Sequence, residues 1–237
     1  MEKGICSVSV APLRAEPAHQ SEMVSQILYG ESVDLLEVNG SFAKVKMNFD
    51  QYEGWVDMKQ ISEISEQDFA YSNSRILTES FGIHHLTEGK MLLSMGSEIP
   101  SDQENSIPSV TRERIFQTAN LFLNVPYLWS GRSFFGIDCS GLTQLVYKVC
   151  GLSLPREAQQ QSEQGKVLDF IEESQPGDLA FFDNDEGKIS HVGIMLDDQK
   201  IIHAYGKVRI DTLDSSGIFN QELNRHTHKL RFVKSIL

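Results

Sequence analysis

The chain has 237 residues, enough for one or two domains with a substantial core. Its 21 Lys and Arg against 33 Asp and Glu give a formal net charge of −12, which argues against a nucleic-acid partner, since that calls for a basic patch. No stretch approaches the roughly 18 apolar residues of a membrane span, and Met1-Glu2-Lys3-Gly4 is not followed by the apolar run of a secretory leader. The expectation is therefore a protein without a membrane partner, cytoplasmic if the chain is complete and secreted if a leader has been trimmed. Three cysteines, an odd number, do not make a disulfide framework.

Residues 1–62 read as short strands. Cys6, Val8 and Val10 alternate with serines, and strand-like runs follow at Met23 to Leu28, Ser32 to Val38, Phe42 to Met47 and Gly54 to Met58, with Asn39-Gly40 as a hairpin turn. The order Pro12-Leu13-Arg14, Tyr29-Gly30-Glu31 and Tyr52-x-Gly54-Trp55-Val56 resembles bacterial SH3-type domains. The alternative is a small β module that only packs against its neighbour.

Residues 63–107 hold short apolar runs at Arg75 to Leu77 and Lys90 to Ser94, read as a second, abbreviated SH3-like unit. The polar Ser97 to Ser109 segment, with Pro100 and Pro108, reads as a linker. His84-His85 lacks an accompanying cysteine or acid cluster, and adjacent strand residues point apart, so these are expected to be solvated loop histidines.

Residues 108–237 form the third expected segment. From Thr111 a helical period places Ile115, Ala119 and Phe122 on one face, ending before Pro126. A glycine-punctuated loop, Pro126 to Asp138, then delivers Cys139 to the first turn of a second helix, whose Leu142, Leu145, Val146 and Val149 recur at helical spacing. Asp138 is a suitable N-cap and Gly151 a suitable stop. Unpaired N–H groups and the helix dipole are expected to lower the Cys139 thiol below about 8.5. Cys139 and Cys150 sit on this one helix, about 16 Å apart along its axis, too far for a disulfide. Pro176-Gly177-Asp178 reads as a turn feeding a buried strand through Phe182.

Two further strands, Lys188 to Leu196 and Lys200 to Tyr205, join through Asp197-Asp198. A hairpin centred on Asp197 would set His191 directly opposite His203, with Cβ atoms about 5 Å apart, so that one imidazole orients the other. Gly193 is read as clearing space for substrate or for the cysteine helix. A thiol nucleophile, a histidine base and a group fixing that base's tautomer are the parts of covalent acyl transfer. Cys139, His191 and His203 are assigned those roles. The Cys139 backbone N–H and the Tyr127 hydroxyl are candidate oxyanion donors, Trp129 is a candidate lining residue, and His226 and His228 read as surface residues. No metal or other cofactor is expected.

Tyr127-x-Trp129-Ser130-Gly131, Asp138-Cys139-Ser140-Gly141, Ser190-His191-Val192-Gly193 and Ile202-His203-Ala204 together resemble the NlpC/p60 family of papain-like cysteine peptidases. The resemblance implies an α+β fold: a nucleophile helix packed on an antiparallel sheet, preceded by one or two small SH3-like β-barrels. With the SH3-type front it is similar to the γ-D-glutamyl-L-diamino-acid endopeptidases, which release L-alanyl-D-glutamate from murein peptides with a free L-alanine amino terminus, the third residue being lysine or diaminopimelate. The implied protein is a monomer acting on recycled or imported fragments. Asp138, with Glu31 and Tyr52 from the front barrel, is the expected site for the substrate ammonium, Ser140 a further substrate contact, and Arg156 the expected cation for the D-glutamate carboxylate. A related amidase or acyltransferase would use the same dyad on another acyl group, a zinc enzyme could draw ligands from Cys139, His191 and His203, and a wall-binding module would leave the dyad idle.

Overall fold

In the computed structural model, which describes residues 2–65, 73–101, 109–197 and 199–237, the chain divides into a unit of Met1–Ile107 with Trp129–Phe135 and a unit of Pro108–Leu128 with Gly136–Leu237. The first is built from β1 (Lys3–Cys6), β2 (Val10–Arg14), β3 (Met23–Leu28), β4 (Ser32–Asn39), β5 (Phe42–Met47), β6 (Glu53–Asp57) and β7 (Ile61–Ile64). They form one antiparallel sheet in the order β3-β2-β6-β5-β4-β1-β7. Period-two alternation sends Cys6, Ala11, Leu13, Val33, Leu35, Val45 and Val56 into one apolar core, with Tyr52 packed partly buried against it.

Four short strands follow in the same unit: β8 (Ser74–Ile76), β9 (Phe81–Leu86), β10 (Gly89–Ser94) and β11 (Glu98–Pro100), paired β8 with β11 and β9 with β10. Two expectations change here. Glu98–Pro100, read as the start of a linker, is a strand held by β8, whereas residues 102–108 of that linker lie outside the described residues. His84 and His85 belong to β9 rather than a loop, and His84 turns to the Tyr29 hydroxyl, with Nε2 3.2 Å from it.

In the second unit, α1 (Arg112–Leu121) starts at Thr111, whose hydroxyl accepts from the Arg114 N–H, and buries Ile115, Thr118 and Ala119. The two-residue strand β12 (Arg132–Ser133) belongs to the first unit; in the second, β13 (Gly136–Ile137) precedes α2 (Cys139–Val149) and α3 (Ala158–Gln161), and the chain ends in seven strands. These are β14 (Lys166–Val167), β15 (Leu179–Asp183), β16 (Ile189–Met195), β17 (Lys200–Tyr205), β18 (Lys207–Asp214), β19 (Gly217–Asn220) and β20 (Arg225–Ser235). Their order is β14-β20-β15-β16-β17-β18-β19, and an additional β19–β20 pairing closes six of them into a barrel.

All of α2 is buried, so its polar residues need internal partners. Gln144 donates to the Leu154 carbonyl, and Thr143 to Gln161. The helix stops as Gly151 turns to φ 91° and the Leu152 N–H reaches back to the Tyr147 carbonyl. The α+β class expected from the sequence, an SH3-like front and a nucleophile helix against an antiparallel sheet, is the fold observed.

The β16–β17 register differs from the expected one. Ile194 pairs with Ile202 and Met195 with Ile201, two residues displaced from a register that would set His191 opposite His203. A two-residue displacement preserves which side chains share a face, so the histidines meet along the diagonal instead. Asp198, expected with Asp197 to join these strands, lies outside the described residues.

Candidate active site

Asp138 opens the site by capping α2: its Oδ1 accepts from the Gly141 N–H at 2.6 Å. That puts Cys139 at the first helical position, 8% exposed. Its sulfur is hydrogen-bonded by the backbone of Val192, the residue after His191, which brings the thiol to the strand carrying the base. Burial pushes the Cys139 thiol up to about 12; the Asp138 carboxylate adds to the rise, against backbone hydrogen bonds and Arg156, which lower it. The helix-terminus argument for a lowered pKa is thus outweighed here by desolvation, and the resting sulfur is a thiol.

The histidines form a chain across three strands. His191 Nε2 lies 2.9 Å from His203 Nδ1, and His203 Nε2 lies 3.0 Å from Asp211 Oδ2. Asp211 also accepts from Asn220 Nδ2 at 3.1 Å and pairs with Arg209. An ionised carboxylate only accepts, and the Asp211 carboxyl is held below the usual range by hydrogen bonds from His203 and Arg209 that outweigh its burial. This assigns the tautomers. His203 carries its proton on Nε2 and accepts at Nδ1, His191 carries its own on Nε2, and the Nδ1 lone pair of His191 is left for the thiol. Both rings are held neutral, since burial pushes the His191 and His203 pKa values down. Gly193 has a different purpose from the one expected: a Cβ there would stand 2.7 Å from Ile201 Cδ1 and 3.0 Å from His203 Cβ. The missing side chain makes room for the facing strand, and so for His203 itself.

His228, expected on the surface, belongs to this cluster. Its ring stacks on His191 with centroids 4.0 Å apart and planes 22° apart, and its Nδ1 lies 2.9 Å from Thr227 Oγ1. His226 is exposed and contacts Asp214. Ligand nitrogens of His191, His203 and His228 lie within 4.8 Å of one another, the one such cluster among the described residues. The near-parallel stack sets the in-plane lone pairs of His191 and His228 in separate planes rather than converging on one ion, so the cluster is shaped for stacking, not chelation.

Among the remaining expected site residues, Tyr127, Asp138, Ser140 and Arg156 share the unit of Cys139. The Tyr127 hydroxyl is within electrostatic reach of Cys139 and Asp138. Burial first, then those charges, push it up to about 12, so it stays a hydrogen-bond donor. Arg156 is not an open cation. Fully buried, it forks onto Asp138, with Nη2 2.6 Å from Oδ2 and Nη1 3.1 Å from Oδ1, and it donates to Ser140 Oγ at 2.8 Å. Its guanidinium is engaged by the helix cap and by Ser140, beside Cys139.

Glu31, Tyr52 and Trp129 belong to the first unit. Glu31 is not an open carboxylate either: it is 1% exposed, both oxygens lie 2.7 Å from the Arg132 guanidinium, and Oε2 also accepts from the Leu28 N–H at 2.8 Å. Trp129 is exposed and donates its indole N–H to Glu22 at 3.0 Å. The sequence reading missed Asp211 and His228. Asp211 was within reach, because the tight Tyr205-Gly206-Lys207 turn sets His203 opposite Arg209 and Asp211 on the next diagonal. His228 lies on a strand that pairs with β15 and β19, and no local pattern announces it.

Comparison with known proteins places two stretches of the chain in known families. Residues 124–227 match the NlpC/P60 family and residues 13–61 the bacterial dipeptidyl-peptidase Sh3 domain. A Bacillus cereus protein named gamma-D-glutamyl-L-lysine dipeptidyl-peptidase is 29% identical over 85% of this chain and 74% of its own length. A Bacillus subtilis protein of the same name is 38% identical over 57% of this chain, which covers 45% of that relative. Dipeptidyl-peptidase 6 of Lysinibacillus sphaericus is 26% identical over 90% of this chain and 93% of its own. The crystal structure of an NlpC/P60 family protein from Bacillus cereus superposes with a TM-score of 0.84 over 99% of both chains at 22% identity, a likeness of fold. The chain is a peptidase that carries a bacterial dipeptidyl-peptidase Sh3 domain followed by an NlpC/P60 domain.

Proposed function

We propose that this peptidase hydrolyses the γ-D-glutamyl-L-diamino-acid bond of murein peptides that begin with a free L-alanine, releasing L-alanyl-D-glutamate. The observation that carries the chemistry is the chain His191, His203, Asp211, with Cys139 at the start of its helix held against the backbone of Val192, the residue after the base. The substrate class rests on the relatives named for the γ-D-glutamyl-L-lysine bond.

In this reading the Cys139 proton passes to His191 Nδ1 as sulfur attacks the amide carbon. The Cys139 backbone N–H and the neutral Tyr127 hydroxyl receive the developing oxyanion. His191 returns the proton to the leaving amine as the C–N bond breaks, and water, deprotonated by the same nitrogen, then cleaves the thioester. Asp138 Oδ2, beyond its bond to Arg156, keeps a lone pair for the substrate ammonium. A free L-alanine amine exists only on peptides already detached from glycan, which fits a role on fragments.

The test is mass-spectrometric assay of L-Ala-γ-D-Glu-L-Lys and its diaminopimelate counterpart, each with and without an acetylated amine. Free-amine peptides are expected to yield L-Ala-D-Glu, and Cys139→Ala to abolish turnover with folding intact. Equal cleavage of acetylated peptides removes the free-amine requirement, and full activity in Cys139→Ala removes the cysteine-peptidase reading.

A further inference from the structure

His191 is clasped from several sides, and one of those contacts has no part in the proton relay. His203 and Asp211 lie along the hydrogen-bond line, whereas His228 stacks across the face of the His191 ring at 4.0 Å. The His228 ring is itself fixed by Thr227 Oγ1 at 2.9 Å and by edge contacts to Tyr205 and Phe182, with centroids 5.0 and 6.0 Å away. The titratable groups around it are His191 from β16, His203 and Tyr205 from β17, and Asp211 from β18. His191 and His203 are buried, at 5% and 0% exposure, whereas His228 is only partly buried. Of the three imidazoles it is therefore the one that solvent protons reach.

We propose that His228 is a positioning residue for the base: a plate that fixes the His191 ring and that takes the first proton in acid, so that His191 stays neutral. Stacking against a flat π face holds the ring at the angle where Nε2 meets His203 and Nδ1 remains for the thiol. When His191 carries the transferred proton in mid-reaction, a neutral imidazole face lies against the cation, a favourable contact. Two protonated rings at this separation repel, so the pair titrates in two coupled steps and the more accessible ring charges first. This inference rests on the peptidase reading, since it concerns the base of that reaction.

The experiment compares His228→Phe and His228→Ala in the full chain, with kcat and KM measured against pH on a peptide that the unmodified enzyme cleaves. Phe keeps a flat ring but cannot take a proton. At neutral pH, His228→Ala is expected to lose about threefold to tenfold in kcat with KM little changed, the range an aromatic pair contributes, and His228→Phe to recover most of that loss. In acid, the limb of His228→Phe should move toward neutral pH by at least about 0.7 of a unit, the effect of two unit charges about 4 Å apart in bulk water. An acid limb unmoved in His228→Phe overturns the proposal, and so does unmodified kcat in His228→Ala. If His228→Ala fails to fold, the pH profile of His228→Phe decides alone. Absence of cleavage by the unmodified enzyme would instead strike the peptidase reading.

Discussion

In each unit of this molecule a carboxylate forks onto a fully buried guanidinium, Glu31 onto Arg132 and Asp138 onto Arg156, and these two forks do different things. Glu31 and Arg132, almost without exposure, join a strand-end carboxylate to a segment 101 residues away within the β unit. Asp138 and Arg156 are 18 residues apart and close on the first turn of α2, beside the nucleophile. The first fork ties chain segments together. The second also sets an electrostatic environment, for its carboxylate raises the Cys139 thiol and its guanidinium lowers it. A buried ion pair is thus not in itself a functional signal; what lies within a few ångströms of it decides.

The largest expected effect comes from breaking either fork. Removing one partner leaves a buried charge without compensation, at a cost of about 3–5 kcal/mol. Arg132→Met and Arg156→Met should each lose that much in denaturant unfolding. Glu31→Leu with Arg132→Met should recover most of the loss, since a buried pair replaced by apolar groups of similar volume is close to neutral. If Arg132→Met unfolds like the unmodified protein, the fork contributes nothing to stability and the comparison fails.

Reactivity separates the forks next. In Arg156→Met, the uncovered Asp138 charge should raise the Cys139 thiol further and slow its alkylation by iodoacetamide about tenfold at fixed pH, the factor one pKa unit removes from the thiolate fraction. Arg132→Met should leave that rate unchanged. In the unmodified enzyme, the alkylation rate should climb with pH through the neutral and alkaline range, following a thiol pushed up to about 12. A plateau reaching below pH 6 would show a thiolate–imidazolium resting pair and contradict the neutral pair described above.

Acid tests the histidine cluster. The native state keeps His191, His203 and His228 largely neutral, the last with its pKa pushed down to about 4 by burial and then by His203. The unfolded chain protonates histidine near pH 6.5, so below that pH it binds more protons than the native state. Native stability should therefore fall as pH drops through the window from about 6.5 toward 4. Urea unfolding midpoints across that range check it, and His228→Phe should flatten part of the slope.

What could be read from the sequence was whatever the chain writes locally. The Asp138 cap, the Cys139 start, the Gly151 stop and the shared face of His191 and His203 all follow from spacing within a few residues. The hairpin register did not, because a displacement of two leaves the face pattern intact. The forks were invisible for another reason. Glu31 and Arg156 each look like a free charge in a loop, and only the fold supplies Arg132 and Asp138 as partners.

The smallest expected effect pairs two contacts that look alike on paper. His226 Nε2 lies 2.8 Å from Asp214 Oδ2, and His203 Nε2 lies 3.0 Å from Asp211 Oδ2. The first is exposed, where solvent screening holds such pairs to about 0–1 kcal/mol, and Asp214→Asn should change neither turnover nor unfolding beyond that. The second is buried and its carboxylate dictates the His203 tautomer. An amide at residue 211 can present N–H to Nε2, which moves the His203 proton to Nδ1 and leaves His191 Nε2 facing a donor. His191 would then have to carry its proton on Nδ1, where it cannot accept from the thiol. Asp211→Asn should accordingly lower kcat far more than Asp214→Asn, with KM little moved. Nitrogen-15 chemical shifts of the histidine rings would report the change of tautomer directly, and an unaltered His203 tautomer with full activity in Asp211→Asn would remove Asp211 from the relay.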